Sequence, residues 1–557
     1  MVQVNFYPEN KKIIVDEGTT ILQAAGLAGV LLESPCNSNL TCGKCKVRLD
    51  EVSIRNVISS GKHHLTHEEI SQGFVLACSA KIIGDISVEI INKEQNDTLK
   101  ILSEGKGFDI KIKTSITKKY FENDSITRVY LYDKELGSEA FNTEDKIFGI
   151  VVDIGTTTMV TSLIDLREGK ELGSISSLNP QAIHAQDVLS RIKFASDKDG
   201  LEKLNKGVID EINNMIIQLC KNSGIDFNNI YEAIFSGNTC MLHLAAKVDP
   251  SSLGKFPYNP KLHGGNHIIA KDHKLSISPL GVIYFPPIIS AYVGADIASG
   301  ILASRLHEEK GITLFVDIGT NGEMAIALDG QLSATSTAAG PAFEGMNITH
   351  GMRAAHGAIE FFNVEEDGKI TVKTIGNKEA IGICGSGLID IVGELVANGL
   401  INKSGKFVDF NKADLSSILK EKLVKLEGKT VFRITDKVYL SQKDIRQVQL
   451  AKGAVRAGIE FLLKSRSLKA DDVEKVLIAG SFGYHLRAKS LINIGLLPSE
   501  FKDKIDFIGN TSKSGGQIFL LNTEYREKMV KIVKSVDVIE LSSYKEFDKV
   551  FVQSLSF

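Results

Sequence analysis

Four cysteines crowd the first 78 residues: Cys36-Asn-Ser-Asn-Leu-Thr-Cys42-Gly-Lys-Cys45, then Cys78 thirty-three positions further on. Three thiolates on one tight loop and a fourth returning from elsewhere form the donor layout that a 2Fe-2S cluster needs. Zinc is the main alternative, but it favours two close ligand pairs, and only Cys42 and Cys45 make one. Seven cysteines, an odd number, suit a reducing compartment better than a disulfide framework. A second chemistry sits at Val151-Val-Asp-Ile-Gly-Thr-Thr-Thr158, an apolar strand that ends in aspartate and turns through glycine into hydroxyls. Glycine lets backbone N–H groups close on an anion, the threonines add donors, and the aspartate can hold a water of a magnesium ion. The device recurs in Leu314-Phe-Val-Asp-Ile-Gly-Thr-Asn-Gly-Glu323, so Asp317, Gly319 and Thr320 stand 164 positions after Asp153, Gly155 and Thr156 (317 − 153). Two such hairpins face to face would grip one nucleotide from both sides.

The elements that must carry these groups are legible in the periodicity. Val2, Val4 and Phe6 alternate, a turn follows at Glu9-Asn10, then come a strand at Ile13-Ile14-Val15 and a helix from Thr20 to about Leu27. Strand, turn, strand, helix predicts a small sheet curled over one helix. Polar Lys93-Glu-Gln-Asn-Asp97 marks a boundary, and period-two Phe108 to Lys113 and β-branched Ile126 to Tyr132 predict a short structured spacer over 94–147. Beyond it an apolar strand enters Ser236-Gly-Asn-Thr, Gly382-Ile-Cys-Gly-Ser-Gly387 leads into a helical pattern from Leu388 to Ala397, and Val473 to Gly483 ends in a Gly-Ser-Phe-Gly turn. Each glycine turn follows a buried-type strand, the place where open α/β sheets bind ligands. No G-x-x-x-x-G-K-[ST] sequence is present, which removes a P-loop from consideration.

At 557 residues the chain has room for three or four domains, and 43% hydrophobic with 24% charged residues describes an ordinary soluble protein. A net charge of −3 without a dense Lys/Arg cluster speaks against nucleic acid. The longest apolar region, Ile277 to Ala303, is broken by Pro279, Pro286, Pro287 and Asp296, a poor membrane span. The opening Met-Val-Gln-Val-Asn-Phe lacks a basic and then apolar leader, so a cytoplasmic protein is expected.

Residues 1–93 resemble the 2Fe-2S ferredoxin domain of plant-like and adrenodoxin-like type, with a cluster loop one residue longer than C-x4-C-x2-C and Asn37, Ser38 and Asn39 where that family is glycine-rich. The resemblance makes Cys36, Cys42, Cys45 and Cys78 the cluster ligands; His63, His64 and His67 read more simply as a solvated loop. Residues 148–557 resemble the ATPase superfamily of actin, sugar kinases and heat-shock chaperones, which is ribonuclease H-like and two-lobed. By that resemblance Asp153 and Asp317 organise magnesium and the attacking water. Gly155, Thr156, Thr157, Thr158, Gly319, Thr320 and Asn321 hold the phosphates, and Gly480, Ser481 and Gly483 lie along the adenosine, joined by Gly385 and Gly387 unless these only form a tight helix entry.

Asn179-Pro-Gln, Asp187-Val-Leu-Ser-Arg191, Pro286 to Asp296, Gly340-Pro-Ala-Phe-Glu-Gly-Met346 and Gly351-Met-Arg-Ala354 together resemble the reductive activators of corrinoid proteins. The implied fold is α+β and multi-domain: a β-grasp ferredoxin at 1–93, a β-containing connector at 94–147 and the ATPase at 148–557. The implied function is ATP-dependent transfer of one electron to an inactive Co(II) corrinoid of a methyl-transfer protein. An upstream electron donor and a homodimer through the ATPase domain are implied with it. An activator of another low-potential reductase or dehydratase, a small-molecule kinase and a redox-sensing ATP-binding regulator are the alternatives. Glu344, His350, Arg353 and His356 fit interlobe bridges as well as partner-binding groups, and Cys220 and Cys240 fit small core positions.

Overall fold

Val2, Val4 and Phe6 are buried while their neighbours along the Val2–Tyr7 strand are not, so one face of this strand can carry a core. It pairs antiparallel with Lys11–Val15 and parallel with Ile86–Glu89, and the sheet continues through Lys46–Leu49 to Phe74–Leu76. Helix Ile21–Leu27 lays Ile21, Ala24 and Ala25 into the same core as Phe6, Val47 and Val88. Its entry is fixed by a reciprocal pair, Gln23 N to Thr20 Oγ1 (3.2 Å) and Thr20 N to Gln23 Oε1 (3.0 Å). Five strands grasping one helix make a β-grasp unit, residues 1–96, separate from a second unit at 97–557. This computed structural model describes residues 1–557 apart from 9, 29, 31, 33–44, 61–64, 66, 91–97, 102–107, 186, 346, 353, 366, 410–416 and 481–485.

The second unit is built on two six-stranded sheets of the same plan. In the first, Glu171–Leu178, Thr158–Asp165 and Phe148–Ile154 form an antiparallel meander. Ile230–Gly237 and Val282–Phe285 continue it in parallel, and Asn266–Ile269 closes the edge. In the second, Gln331–Thr337, Gly322–Leu328 and Ile312–Ile318 make the meander, with Lys475–Ala479 and Ile505–Gly509 parallel beyond it. Both aspartate hairpins are therefore the first turn of a meander, at the carboxyl end of the strand that borders the parallel half. The apolar runs of Ile150 to Ile154 and Leu314 to Ile318 are buried because helices cover both faces. Helix Thr511–Leu521 follows a strand of the second sheet yet packs on Phe148–Ile154 and Ile230–Gly237 of the first and against helix Ala295–Ser304, so residues of each half reach the other's hairpin. Among the described residues no helix is long and apolar enough to cross a membrane.

Residues 116–140 form a three-stranded antiparallel sheet that is riveted to the first lobe, so the expected spacer is structurally part of the ATPase-like unit. Lys118, 8% exposed, donates to Glu139 Oε2 (2.9 Å) and Tyr231 Oη (2.8 Å). Ser115 Oγ donates to Glu232 Oε2 (2.6 Å), and Arg526 grips the same carboxylate through Nη1 (2.8 Å) and Nη2 (3.1 Å). Burial alone would push Glu232 up, but the Arg526 guanidinium and His267 hold it down to about 2. Because Glu232 is fully buried, removing its counter-charge strands an ion. Arg526→Ala is expected to cost about 3–5 kcal/mol in urea-unfolding stability of the 97–557 unit, and a loss below ~1 kcal/mol would contradict the assignment.

Candidate functional site

The first hairpin tip is held by side chains that take its carbonyls. Asn179 Nδ2 donates to Gly155 O (2.9 Å), and Arg191, fully buried, sends Nη2 to Thr156 O (2.7 Å) while its Nε holds Ala185 O (3.0 Å). Burial pulls Arg191 down to about 10, still charged at neutral pH. Asn238, the cap of helix Thr239–Ala245, donates Nδ2 to Thr156 Oγ1 (3.0 Å). With three loop acceptors engaged from behind, the tip has a fixed shape. A Cβ on Gly155 would stand 2.4 Å from Thr158 O, so only glycine permits this turn.

The second hairpin meets the first directly. Thr157 Oγ1 and Thr320 Oγ1 are 3.0 Å apart, and Thr320 also hydrogen-bonds Glu344 Oε1. A carboxylate only accepts, so the Thr320 proton goes to Glu344 and Thr157 is the donor to Thr320. Asn321 Nδ2 donates to Glu323 Oε1 (3.1 Å), and the Thr320 carbonyl is held by Gly340 N (2.8 Å). The 164-residue repeat thus closes into one site, with hydroxyls from both lobes at its centre.

Four carboxyls besides Glu344 border it. Asp153 accepts from Asn510 Nδ2 (2.8 Å) and Ser512 Oγ (2.8 Å), both at the start of helix Thr511–Leu521, and burial still raises it. Burial, then the charge of Asp153, pushes Asp296 up to about 7. Burial, then Asp296 and Asp153, pushes Asp317 up to about 8, and burial with Asp296 and Asp317 lifts Glu323 well above the carboxylate range. The three aspartates are partly open and Glu323 is buried. Burial is the first cause of each shift and neighbouring carboxylates the second for Asp296, Asp317 and Glu323, so a positive charge entering here would be favoured. Among the described residues no three His, Cys, Asp or Glu side chains converge as a closed metal cage.

Asp296 and Glu323 are functional candidates that sequence reasoning passed over. Asp296 is an acidic residue within an apolar run and Glu323 stands at the head of one, and that was the available signal. Asn510 and Ser512, in Gly509-Asn-Thr-Ser, carried only a cap-like pattern.

Gly480 has φ +123° and would place a Cβ 2.5 Å from Ile318 O, so it packs against the second hairpin strand; Ser481 and Gly483 lie outside the described residues. Gly385 and Gly387 stand at a tight helix entry. They open helix Gly385–Ala397, where Cβ atoms would fall 1.8 Å from Phe343 O and 2.1 Å from Ile359 O. The absent side chains are needed for backbone packing. Cys384 is buried beside them, its Sγ 3.2 Å from Ile359 O. Cys220 and Cys240 are core residues, with thiols pushed up by burial to about 11 and about 12. His350 stacks edge-on against Tyr439 at 4.4 Å, while Arg353 lies outside the described residues.

In the β-grasp unit Cys45 and Cys78 are both buried, their Sγ atoms 3.2 Å apart, and Cys78 N–H points at Cys45 Sγ (3.5 Å). Adjacent strands cause this: Lys46 pairs with Leu76, and Ala77 N donates to Cys45 O (2.8 Å). Two thiolates on one tetrahedral metal at about 2.3 Å each lie about 3.8 Å apart, so this pair fits a shared metal after a small relaxation. Cys36, Cys42, His63 and His64 lie outside the described residues.

Comparison with known proteins bears on both units. A 2Fe-2S iron-sulfur cluster binding domain matches residues 4–82, the RACo middle region matches 148–309, and the C-terminal domain of RACo, the ASKHA domain, matches 311–557. The middle region thus corresponds to the first lobe. The corrinoid activation enzyme RamQ of Eubacterium limosum is 34% identical over 423 residues, 74% of this chain and 71% of that protein. The [Co(II) methylated amine-specific corrinoid protein] reductase of Methanosarcina barkeri is 24% identical over 445 residues, 74% and 77% of the two chains. The solved structure of a reductive activator for corrinoid, iron-sulfur protein aligns with a TM-score of 0.74 at 32% identity, covering 100% of this chain and 98% of that one. A ferredoxin unit followed by two matched lobes with paired aspartate hairpins places this chain in the family of reductive activators of corrinoid proteins.

Proposed function

We propose that this protein transfers one electron from a 2Fe-2S cluster to the Co(II) state of a corrinoid-bearing methyl-transfer protein, restoring Co(I), in a reaction coupled to ATP. The observation that carries the reading is the joining of the Asp153 and Asp317 hairpins through Thr157 and Thr320, in a chain that also brings Cys45 and Cys78 together. The names of the relatives support the target: a corrinoid activation enzyme, a Co(II) corrinoid protein reductase and an activator for a corrinoid, iron-sulfur protein.

Bound through Cys36, Cys42, Cys45 and Cys78, the cluster supplies a one-electron carrier, near −400 mV for plant-type centres. A one-electron step loses tenfold for about every 59 mV by which the acceptor lies lower, which is why an energy source accompanies the transfer. Magnesium supplies positive charge against the phosphates. Asp153, oriented by Asn510 and Ser512, and Asp317 would hold it through water. Gly155, Thr156, Thr157, Thr158, Gly319, Thr320 and Asn321 would hold the β- and γ-phosphates, with Gly480, Ser481 and Gly483 towards the adenosine. A phosphate entering between the hairpins must part Thr157 from Thr320 and take over both hydroxyls, so nucleotide binding changes the relation of the lobes. Coupling then requires the lobes to bind the corrinoid protein differently in the two states. A homodimer through the ATPase domain, an upstream electron donor and a cytoplasmic setting complete the reading.

The test is visible spectroscopy under anaerobic conditions, mixing a Co(II) corrinoid protein and a reductant with this protein, with and without Mg-ATP. Co(I) that forms only with Mg-ATP is the expected result. No Co(I) in either condition, with several corrinoid proteins tried and the cluster demonstrably reduced, would overturn it.

A further inference from the structure

Strand Ile230–Gly237 is buried along its whole length, yet it carries a serine, Ser236, in pairing register with Asp153 of the neighbouring strand. Ser236 Oγ is 2.9 Å from Ser512 Oγ and 2.9 Å from Ser299 Oγ, so a row of hydroxyls runs from helix Ala295–Ser304 across the sheet to helix Thr511–Leu521. Ser236 and Ser299 are fully buried and Ser512 is nearly so. At the end of the row Ser512 Oγ lies 2.8 Å from Asp153 Oδ1. An ionised carboxylate only accepts, so Ser512 gives its proton to Asp153. The proton between Ser512 and Ser236 must then be that of Ser236, and the one between Ser236 and Ser299 that of Ser299. All three serines donate towards Asp153; Ala295 O, also in reach of Ser236, is more distant at 3.4 Å.

Backbone packing seats this row. A Cβ on Gly515 would stand 2.2 Å from Ser299 O, so the two helices approach closely enough to join their serines only because that position is glycine. Hydrogen bonds that point the same way polarise one another, and a hydroxyl that both donates and accepts is no longer a free rotor. Ser512 is thereby fixed as the donor on Oδ1, while Asn510 Nδ2 holds Oδ2 (2.8 Å). A carboxylate has about four acceptor sites. With one engaged on each oxygen, the others remain for the water shell of a metal ion.

We infer that Ser236 and Ser299 are positioning residues for Asp153, acting through Ser512 to hold its carboxylate in the orientation that receives the water of a nucleotide-bound magnesium ion. Groups that orient a metal-binding side chain typically carry roughly 10–100-fold in metal affinity or activity. The inference rests on the ATP-coupled reading above and adds to it the buried residues that set how strongly the site answers magnesium. It also accounts for two fully buried hydroxyls in surroundings that are otherwise apolar.

Ser236→Ala tests it, since it removes the donor to Ser512 and the acceptor of Ser299 together. Binding of a non-hydrolysable ATP analogue to the full chain, measured by calorimetry in chelator and across a Mg2+ titration, needs no turnover. The Mg2+ concentration for half-maximal tightening should rise about tenfold, with affinity in chelator within about twofold of the parent's. Ser299→Ala, one step further along the row, should shift it in the same direction by about threefold. A Mg2+ requirement within about twofold of the parent's for Ser236→Ala would overturn the inference, whatever happens to the thermal midpoint. So would an equal loss of affinity in chelator and in Mg2+, which marks a general distortion of the site. Should Ser236→Ala fail to fold, Ser299→Ala decides by the same titration: a requirement raised by more than about twofold supports the assignment, and a smaller change refutes it. A parent that binds the analogue no better with Mg2+ than in chelator would overturn the magnesium-nucleotide reading and this inference together. A Mg2+-responsive parent with unaffected variants removes the inference alone.

Discussion

Cys78→Ser is expected to reduce Co(I) formation to the protein-free background while ATP hydrolysis stays within about twofold of the parent. Cys78 lies in the turn two residues after the Phe74–Leu76 strand, and its Sγ is 3.2 Å from the Sγ of Cys45, which immediately precedes the neighbouring Lys46–Leu49 strand. Serine keeps the volume but replaces a soft thiolate with a hydroxyl that ionises far less readily and binds iron–sulfur centres poorly. The hairpins belong to a different structural unit, 97–557, so their chemistry should not depend on this side chain. Iron content, the visible spectrum of the cluster and the Co(I) yield check the first half; phosphate release checks the second. A variant that reduces Co(II) at the parent's rate would remove Cys78 from the ligand set. A fall in hydrolysis matching the fall in reduction would instead make cluster loading a condition of ATP turnover.

The parts of this molecule that repeat or alternate were legible from the sequence. The strand pattern of Val2, Val4 and Phe6, the helix ending at Leu27 and both aspartate hairpins follow from local rules, because backbone pleat and glycine turns act over a few residues. The Gly385 helix was legible as well, with a tight entry among the readings of its glycines, but the atoms they admit were not: close approach to Phe343 O and Ile359 O is a packing fact that no local pattern encodes.

What stayed hidden was long-range. The spacer carries recognisable strands, yet its anchoring depends on Ser115 and Lys118 meeting Glu232, Glu139 and Tyr231, up to 117 positions away. In the same way Asp153 is oriented from Asn510 and Ser512, more than 350 positions later, because helix Thr511–Leu521 returns to the first lobe. Asp296 could be read from sequence only as an interruption of an apolar run; its position beside Asp153 and Asp317 made it part of the charge cluster.

That cluster implies opposite effects on activity and stability for Asp317→Asn. No side chain among the described residues hydrogen-bonds the Asp317 carboxylate, unlike Asp153, which has two donors. Its pKa rises from the ordinary carboxylate range to about 8, so between about pH 4 and pH 8 the folded protein holds a proton that the unfolded chain has released. Stability of the metal-free protein therefore falls as pH rises through that window, and the full penalty is present above it. Asparagine cannot ionise, so the metal-free variant should melt higher than the parent at pH 9 in chelator, with the difference vanishing below about pH 4. Magnesium and nucleotide should reverse the order: the parent gains a counter-charge for a carboxylate already in place, and the variant has none to offer. ATP hydrolysis by the variant should drop on the order of 10²–10³-fold, the scale of losing one preorganised electrostatic group at a developing charge. Thermal melts at pH 5 and pH 9, with chelator or with Mg-ATP, and one turnover measurement are sufficient. A variant less stable than the parent at pH 9 without metal, or turning over within about tenfold of it, would show that Asp317 is held as a structural carboxyl rather than kept charged for a cation.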